Sequence, residues 1–369
     1  MQIIRTFHPI GQGAFYTEAF DSGLKVVYDC GTSTDLSLLH REIDQAFDEN
    51  EVIDIVFISH LHADHVNGLE YLINRCHVKN IILPNIDIHE KIQILFFNEY
   101  LNHLTDFIEQ LIVDPMGIYN DFDVNIILVN EHEDNTAEEE FDIEQLKHGQ
   151  NIPSGTKLTS KLVDSWIYLP FNFRNESRYR RLLQKLIQNN LAMNSIDDFK
   201  DIWRDKVQRQ QLIEVFKSIP GDMNTNSMTV YSGPDKRRIF RKVVRCTHGY
   251  CYYSSSLPRP FHHMSYKAGC LYFGDYDASG NQKWQKLYSV YQNYWDYIGI
   301  VQVPHHGSRH NYNDSINIRP GIINIISAGI QNNYGHPHGS TLRKILLHGG
   351  IPVIVNENGM SKFECIARR

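Results

Sequence analysis

Residues 57–69, FISHLHADHVNGL, set His60, His62, Asp64 and His65 within one turn's length of chain, directly after an apolar run. An extended segment alternates its side chains, so His60 and His62 leave the strand pointing the same way. Asp64 and His65 follow where the next helix begins, beside its partly positive end. Imidazole and carboxylate together suit zinc, and manganese accepts the same set. Two histidines for one ion and an Asp/His pair for its neighbour make a dinuclear arrangement. The bland alternative is a histidine-rich helix cap, and burying that many polar groups without metal or full hydrogen bonding is costly.

The elements around this stretch must hold it. Residues 2–20 and 24–32, divided by DSG, read as a hairpin of short β-branched and aromatic segments. LSLLHREIDQAFDEN carries helical spacing, DIVFIS reads as a strand covered on both faces, GLEYLINRC as a helix and VKNIILPN as a second buried strand. Strand and helix alternate, as in a layered α/β sheet. From 88 to 220 the rhythm changes. HEKIQILFFNEYLNHLTDFIEQLIV reads as one long amphipathic helix, VNIILVN and SWIYLPFNF as strands, and SRYRRLLQKLIQNN through DDFKDIWRDKVQRQQLIEVFKSI as further helices. The expectation is a single domain over 1–369 with a partly helical insertion at 88–220. Strands resume in NSMTVYSG, GCLYFGD, YIGIVQVP, GIINIISAG and IPVIVNENG.

Composition narrows the class. With 42% hydrophobic and 21% charged residues the chain can bury a sizeable core. A formal charge of −7 argues against a surface that is basic throughout, leaving local basic patches open. Neither a secretory signal nor a membrane-length apolar run is visible, so a cytoplasmic protein without a membrane partner is expected. The six cysteines are scattered, as in a reduced protein.

His-x-His-x-Asp-His after a core strand resembles the signature of the metallo-β-lactamase superfamily. The fold this implies is α/β, an αβ/βα sandwich with a metal cleft at one edge of its two sheets. IGQGAFYTE, VVYDCGT, NTNSMTVYS, LYFGD, VPHHGSRHN and NNYGHPHGSTLRKI, in that order, are similar to the hydrolase domain of the competence DNA-uptake channel, the ComEC family. Phosphorylcholine esterases share parts of the pattern. The resemblance implies two divalent ions, Zn2+ or Mn2+, ligated by His60, His62, Asp64 and His65, with Asp275 as the bridging carboxylate. His336 resembles the final ligand to the second ion, and His338 competes with it. Asp29 supports the metal loop without binding metal. His305 or His306 completes a metal shell or protonates the leaving oxygen, and Ser308 and Arg309 are placed to hold a substrate phosphate. Two departures stand out. Ala14 follows GQG where the family often has an acidic residue, and no histidine matches the third ligand of the first ion, a region where Asn226 stands.

Two neighbouring cations ionise water and neutralise charge on a phosphoryl oxygen, and Asp64 beside that water would orient it and take its proton. The ComEC resemblance implies a nuclease cutting DNA phosphodiesters. Two basic clusters with interleaved aromatics, 174–185 and 235–245, are compatible with it. The alternatives are a small-molecule phosphodiesterase, phosphorylcholine-esterase-like, and a partner-gated effector that meets another protein through 88–220.

Overall fold

The computed structural model describes residues 1–133, 139–173, 176–219, 227–235, 241–246 and 267–369, with the side chains of 176–179 and 241–246 left aside. Its strands form two large mixed sheets. The first runs, edge to edge, Asn151–Ile152, Asn125–Val129, Asn80–Pro84, Ile55–Phe57, Lys25–Thr32, Gly13–Phe20, Gln2–Phe7, Phe363–Arg368 and Arg241–Cys246. The second runs Ile351–Val355, Ile323–Ser327, Ile298–Gln302, Gly269–Tyr272, Thr229–Pro234, Val163–Phe171, Lys157–Ser160 and Glu140–Asp142.

Strand alternation explains why the sheets stack. Ala14 and Tyr16 face one core and Phe15 the opposite one, and Ile82 is likewise separated from Ile81 and Leu83. The inward set meets Trp166, Tyr168, Val230, Tyr272, Ile300 and Ile325 of the second sheet. The outward set of the first sheet packs under the helices Leu36–Ala46, Leu69–Arg75, Ile88–Tyr100 and Asp106–Val113. Beyond the second sheet, Leu271, Val301 and Ile326 pack with Leu287 and Ile345 of the helices Asn281–Val290 and Gly339–Leu347. Helix, sheet, sheet, helix is the αβ/βα sandwich of the metallo-β-lactamase fold.

Within 88–220, Asn125–Val129 and Asn151–Ile152 extend the first sheet while Glu140–Asp142, Lys157–Ser160 and Val163–Phe171 extend the second. The apolar strands of this stretch need cover on both faces and find it in the sheets. Two details differ from the sequence reading. The expected long helix is two, Ile88–Tyr100 and Asp106–Val113. Asn102 takes a left-handed conformation at φ 56°, and Thr105 caps the second helix by accepting from the Ile108 N–H. The first expected strand is also two, Gln2–Phe7 and Gly13–Phe20, parted at Gly11 with φ 78°. Among the described residues no helix is long and apolar enough to cross a membrane.

Candidate metal centre

His60 and His62 follow the strand Ile55–Phe57 of the first sheet, and His62, on extended backbone, directly precedes the short helix Ala63–Val66. The other half of the site comes from the second sheet. Asp275 follows Gly269–Tyr272, and His305 and His306 follow Ile298–Gln302. Gln302 joins these two strand ends: its Oε1 accepts from the N–H groups of Phe273 and Gly274, each at 2.7 Å. The His305 N–H donates to the Gly274 carbonyl at 3.0 Å.

Two groups of potential ligands result, His60 with Asp64 and His65, and His65 with Asp275 and His306. Within each group the ligand atoms all lie within 4.8 Å of one another. His65 belongs to both. Its Nε2 stands 3.4 Å from Asp275 Oδ1, while His306 Nε2 stands 3.5 Å from Asp64 Oδ2 and 3.7 Å from Asp275 Oδ1. His60 Nε2 is 3.7 Å and His305 Nε2 3.5 Å from Asp275 Oδ2.

Hydrogen bonds on the far side of the rings assign their tautomers. His306 Nδ1 lies 2.8 Å from the Ser327 carbonyl, which can only accept. His65 Nδ1 lies 2.8 Å from Asp29 Oδ2. Ser59 gives its one hydroxyl proton to Asp29 Oδ2 at 2.7 Å, so toward His60 Nδ1, 3.0 Å away, its oxygen accepts. Ser227 also reaches His60 Nδ1 at 3.2 Å and accepts the Asp275 N–H at 3.0 Å. Neutral His60, His65 and His306 therefore each carry the proton on Nδ1 and present a lone pair on Nε2. These three Nε2 atoms are buried and have no hydrogen-bond partner among the described residues.

Lone pairs aimed at carboxylates repel unless a positive charge lies between them, and a cation fits this donor set. The field of the surrounding carboxylates likewise favours positive charge at this point. Burial opposes charge on His65, but Asp275, Asp29 and Asp64 outweigh it and hold the ring well above the ordinary histidine range. Burial likewise opposes charge on Asp275, yet His305, His65 and His306 keep its carboxyl well below the usual carboxylate range. His60, by contrast, is driven down by burial and then by the neighbouring His65.

The backbone is strained where the site is built. Asp29, His305 and His306 have φ of 55°, 48° and 53°. Non-glycine residues in such conformations cost about 1–3 kcal/mol each and persist where surrounding structure holds them.

The remaining expected residues fall around this cluster. His336 lies in the loop before Gly339–Leu347, its ring centroid 5.5 Å from His305 and 6.3 Å from His306, beside the two groups and not within them. His338 caps that helix by accepting from the Ser340 N–H. Ser308 is buried and accepts from the His310 N–H, and exposed Arg309 donates to His310. Asn226 and Lys236, Arg237 and Arg238 of the second basic cluster lie outside the described residues. Ser59, Ser227, Gln302 and Ser327 were not singled out from sequence. The signal available for Ser59, Gln302 and Ser327 was a polar residue at the end of an apolar strand, buried where the run predicts cover.

Fold and site together define an α/β protein of the metallo-β-lactamase fold with a buried His/Asp site suited to metal. A family model described as "Anti-Pycsar protein Apyc1" matches residues 17–166, a span that includes the four motif residues and ends before Asp275. The ComEC subgroup and the DNA-nuclease reading find no support in this comparison. Among solved structures, the chain is similar to Zn(2+)-bound PqqB from Methylobacterium extorquens, at 8% identity and a TM-score of 0.41 over 96% of this chain and 98% of that one. No curated protein matches the chain.

Proposed function

We propose that this protein is a metal-dependent phosphodiesterase that opens cyclic nucleotides. The observation that carries the chemistry is the sharing of His65 between two ligand groups with Asp275 beside it. The family match over 17–166 supports the substrate class, since Apyc1 proteins degrade cyclic nucleotides. It favours the small-molecule reading over a nuclease.

His60 would hold one ion, joined by His62, whose ring lies 4.7 Å from that of His60 though it falls in neither ligand group; His65, Asp275 and His306 would hold the other, with Asp64 within reach of both. His306 thereby takes the role that the family resemblance assigned to His336, because its Nε2 faces both carboxylates while the His336 ring, 6.3 Å away, falls in neither ligand group. When bound, the ions supply charge that activates water and stabilises a phosphoryl oxygen. Asp29, Ser59, Ser227 and the Ser327 carbonyl hold the rings in the tautomer that presents Nε2. Opening a cyclic phosphodiester adds water to phosphorus and breaks one P–O ester bond, and the departing sugar oxygen needs a proton. His305 Nε2, 3.5 Å from Asp275 Oδ2, is the proton donor we assign to it.

The test is to incubate the purified protein and zinc or manganese with a panel of 3′,5′-cyclic mononucleotides and, separately, with linear single- and double-stranded DNA. Conversion of cyclic nucleotide to monoester by wild type, with loss of at least a thousandfold in a His65→Ala variant, supports the reading. DNA cleavage without turnover of any cyclic nucleotide would return the nuclease reading to first place.

A further inference from the structure

His62 is fixed differently from the other site histidines. The side chain of Asn98, on the helix Ile88–Tyr100, brackets it: Nδ2 donates to the Leu61 carbonyl at 3.0 Å and Oδ1 accepts the Ala63 N–H at 3.0 Å. One side-chain amide thus occupies the backbone on both sides of His62, much as a neighbouring strand would. Asn98 is 1% exposed, and its second Nδ2 proton goes to the Ile94 carbonyl at 3.0 Å. Asparagine is a poor residue for a helix interior, and these three contacts account for its place there. The next residue back, Phe97, lays its ring on the His62 imidazole, with centroids 4.3 Å apart and planes 22° apart.

We propose that Asn98 and Phe97 are positioning residues for His62 and so set how tightly the first metal position, that of His60 and His62, is held. The proposal rests on the two-ion reading of the site and is independent of the substrate. The second position draws His65, Asp275 and His306 from both sheets, whereas the first has His60 with Asp64 and the shared His65, and His62 beside His60 with ring centroids 4.7 Å apart. With fewer ligands of its own among the described residues, its affinity depends more on how well His60 and His62 are preorganised.

The bracket has its own support. Asp87 and Glu90 form a capping box at the start of the helix. Phe96 stacks on Phe216 at 3.9 Å and meets Trp203 edge-on at 5.7 Å, so the helices Ile196–Arg204 and Lys206–Lys217 grip the helix that holds His62. The helical part of 88–220 is therefore joined to the metal loop through three consecutive residues, 96 to 98.

The experiment is a calorimetric zinc titration of chelator-stripped full-length protein, with circular dichroism melts to establish folding. Wild type should bind in two steps, and His62→Ala identifies the step that belongs to the first position. Phe97→Leu and Asn98→Ala should weaken that same step roughly 10–100-fold, as changes behind a metal ligand commonly do, and leave the tighter step unchanged. Phe97→Tyr, which keeps the stacked ring, should restore it. Equal weakening of both steps, no change in folded variants, failure of Phe97→Tyr to rescue, or a single ion in wild type each overturns the proposal. None of these outcomes depends on cyclic-nucleotide turnover, so failure of the substrate reading is seen separately.

Discussion

Asp29 holds Nδ1 of His65 at 2.8 Å, which leaves Nε2 of the same ring 3.4 Å from Asp275 Oδ1. One carboxylate orients the ring and another awaits what the ring binds. Asp29→Asn keeps the size of the side chain and tolerates the left-handed backbone at this position, but removes the charge that favours a strongly donating imidazole. Zinc affinity should fall about 10–100-fold with the fold retained, as read by competition with a chromophoric chelator.

His306 and His336 make opposite predictions for metal content. His306→Ala should cost one of the two ions, because His306 faces Asp64 and Asp275 from the second sheet. His336→Ala should keep both. Elemental analysis of the two purified variants after equal metal loading decides between the two histidines.

Gly31 carries the short metal helix on its back. A Cβ there would lie 2.5 Å from the backbone nitrogens of His65 and Val66 and 2.6 Å from the carbonyl carbon of Asp64. Backbone cannot swing aside as a side chain can. Gly31→Ala should destabilise the protein by about 1–3 kcal/mol, the usual cost of overpacking, and displace Asp64 and His65 so that metal binding falls as well. Thermal unfolding with and without zinc checks both effects.

His8 offers a pH test away from the metal residues. It is buried against Phe15, with Nδ1 3.1 Å from Glu42 Oε2 and Nε2 3.0 Å from Thr17 Oγ1. Burial lowers its pKa from 6.5 despite the hydrogen bond to Glu42, and the nearby Lys362 lowers it further. As pH falls below about 6.5 the unfolded chain takes up this proton before the folded one does. His8 thus contributes stability above that pH which is lost as pH falls through its folded value. Denaturant unfolding between about pH 7.5 and pH 5 should show a steeper loss in wild type than in His8→Gln.

The metal motif was legible because its chemistry is local: four ligand-type residues, a strand before and a helix after. The sandwich was legible through the alternation of apolar strand-length runs with helical segments and through the family resemblance. What sequence spacing could not show was which parts of the distant segments converge. His306 and His336 are both histidines in turns near the chain's end, and only the left-handed backbone at His305 and His306 turns the His306 ring toward Asp64. Which sheet each strand of 88–220 joins was not legible, because pairing across long sequence separations leaves no local mark, as with Val163–Phe171 beside Thr229–Pro234. Asn98 was hidden for the same reason: inside an amphipathic helix it reads as a surface residue until the loop it brackets is seen.

Ions held by this cluster should enable the chain to open a cyclic phosphodiester. The most direct measurement follows phosphorus NMR of a 3′,5′-cyclic mononucleotide while zinc or manganese is titrated into chelator-stripped protein. No conversion is expected without metal, monoester should appear in step with ion binding, and Asp275→Ala should show neither. Conversion by metal-free protein, or none by fully loaded wild type across the panel of bases, would contradict this expectation.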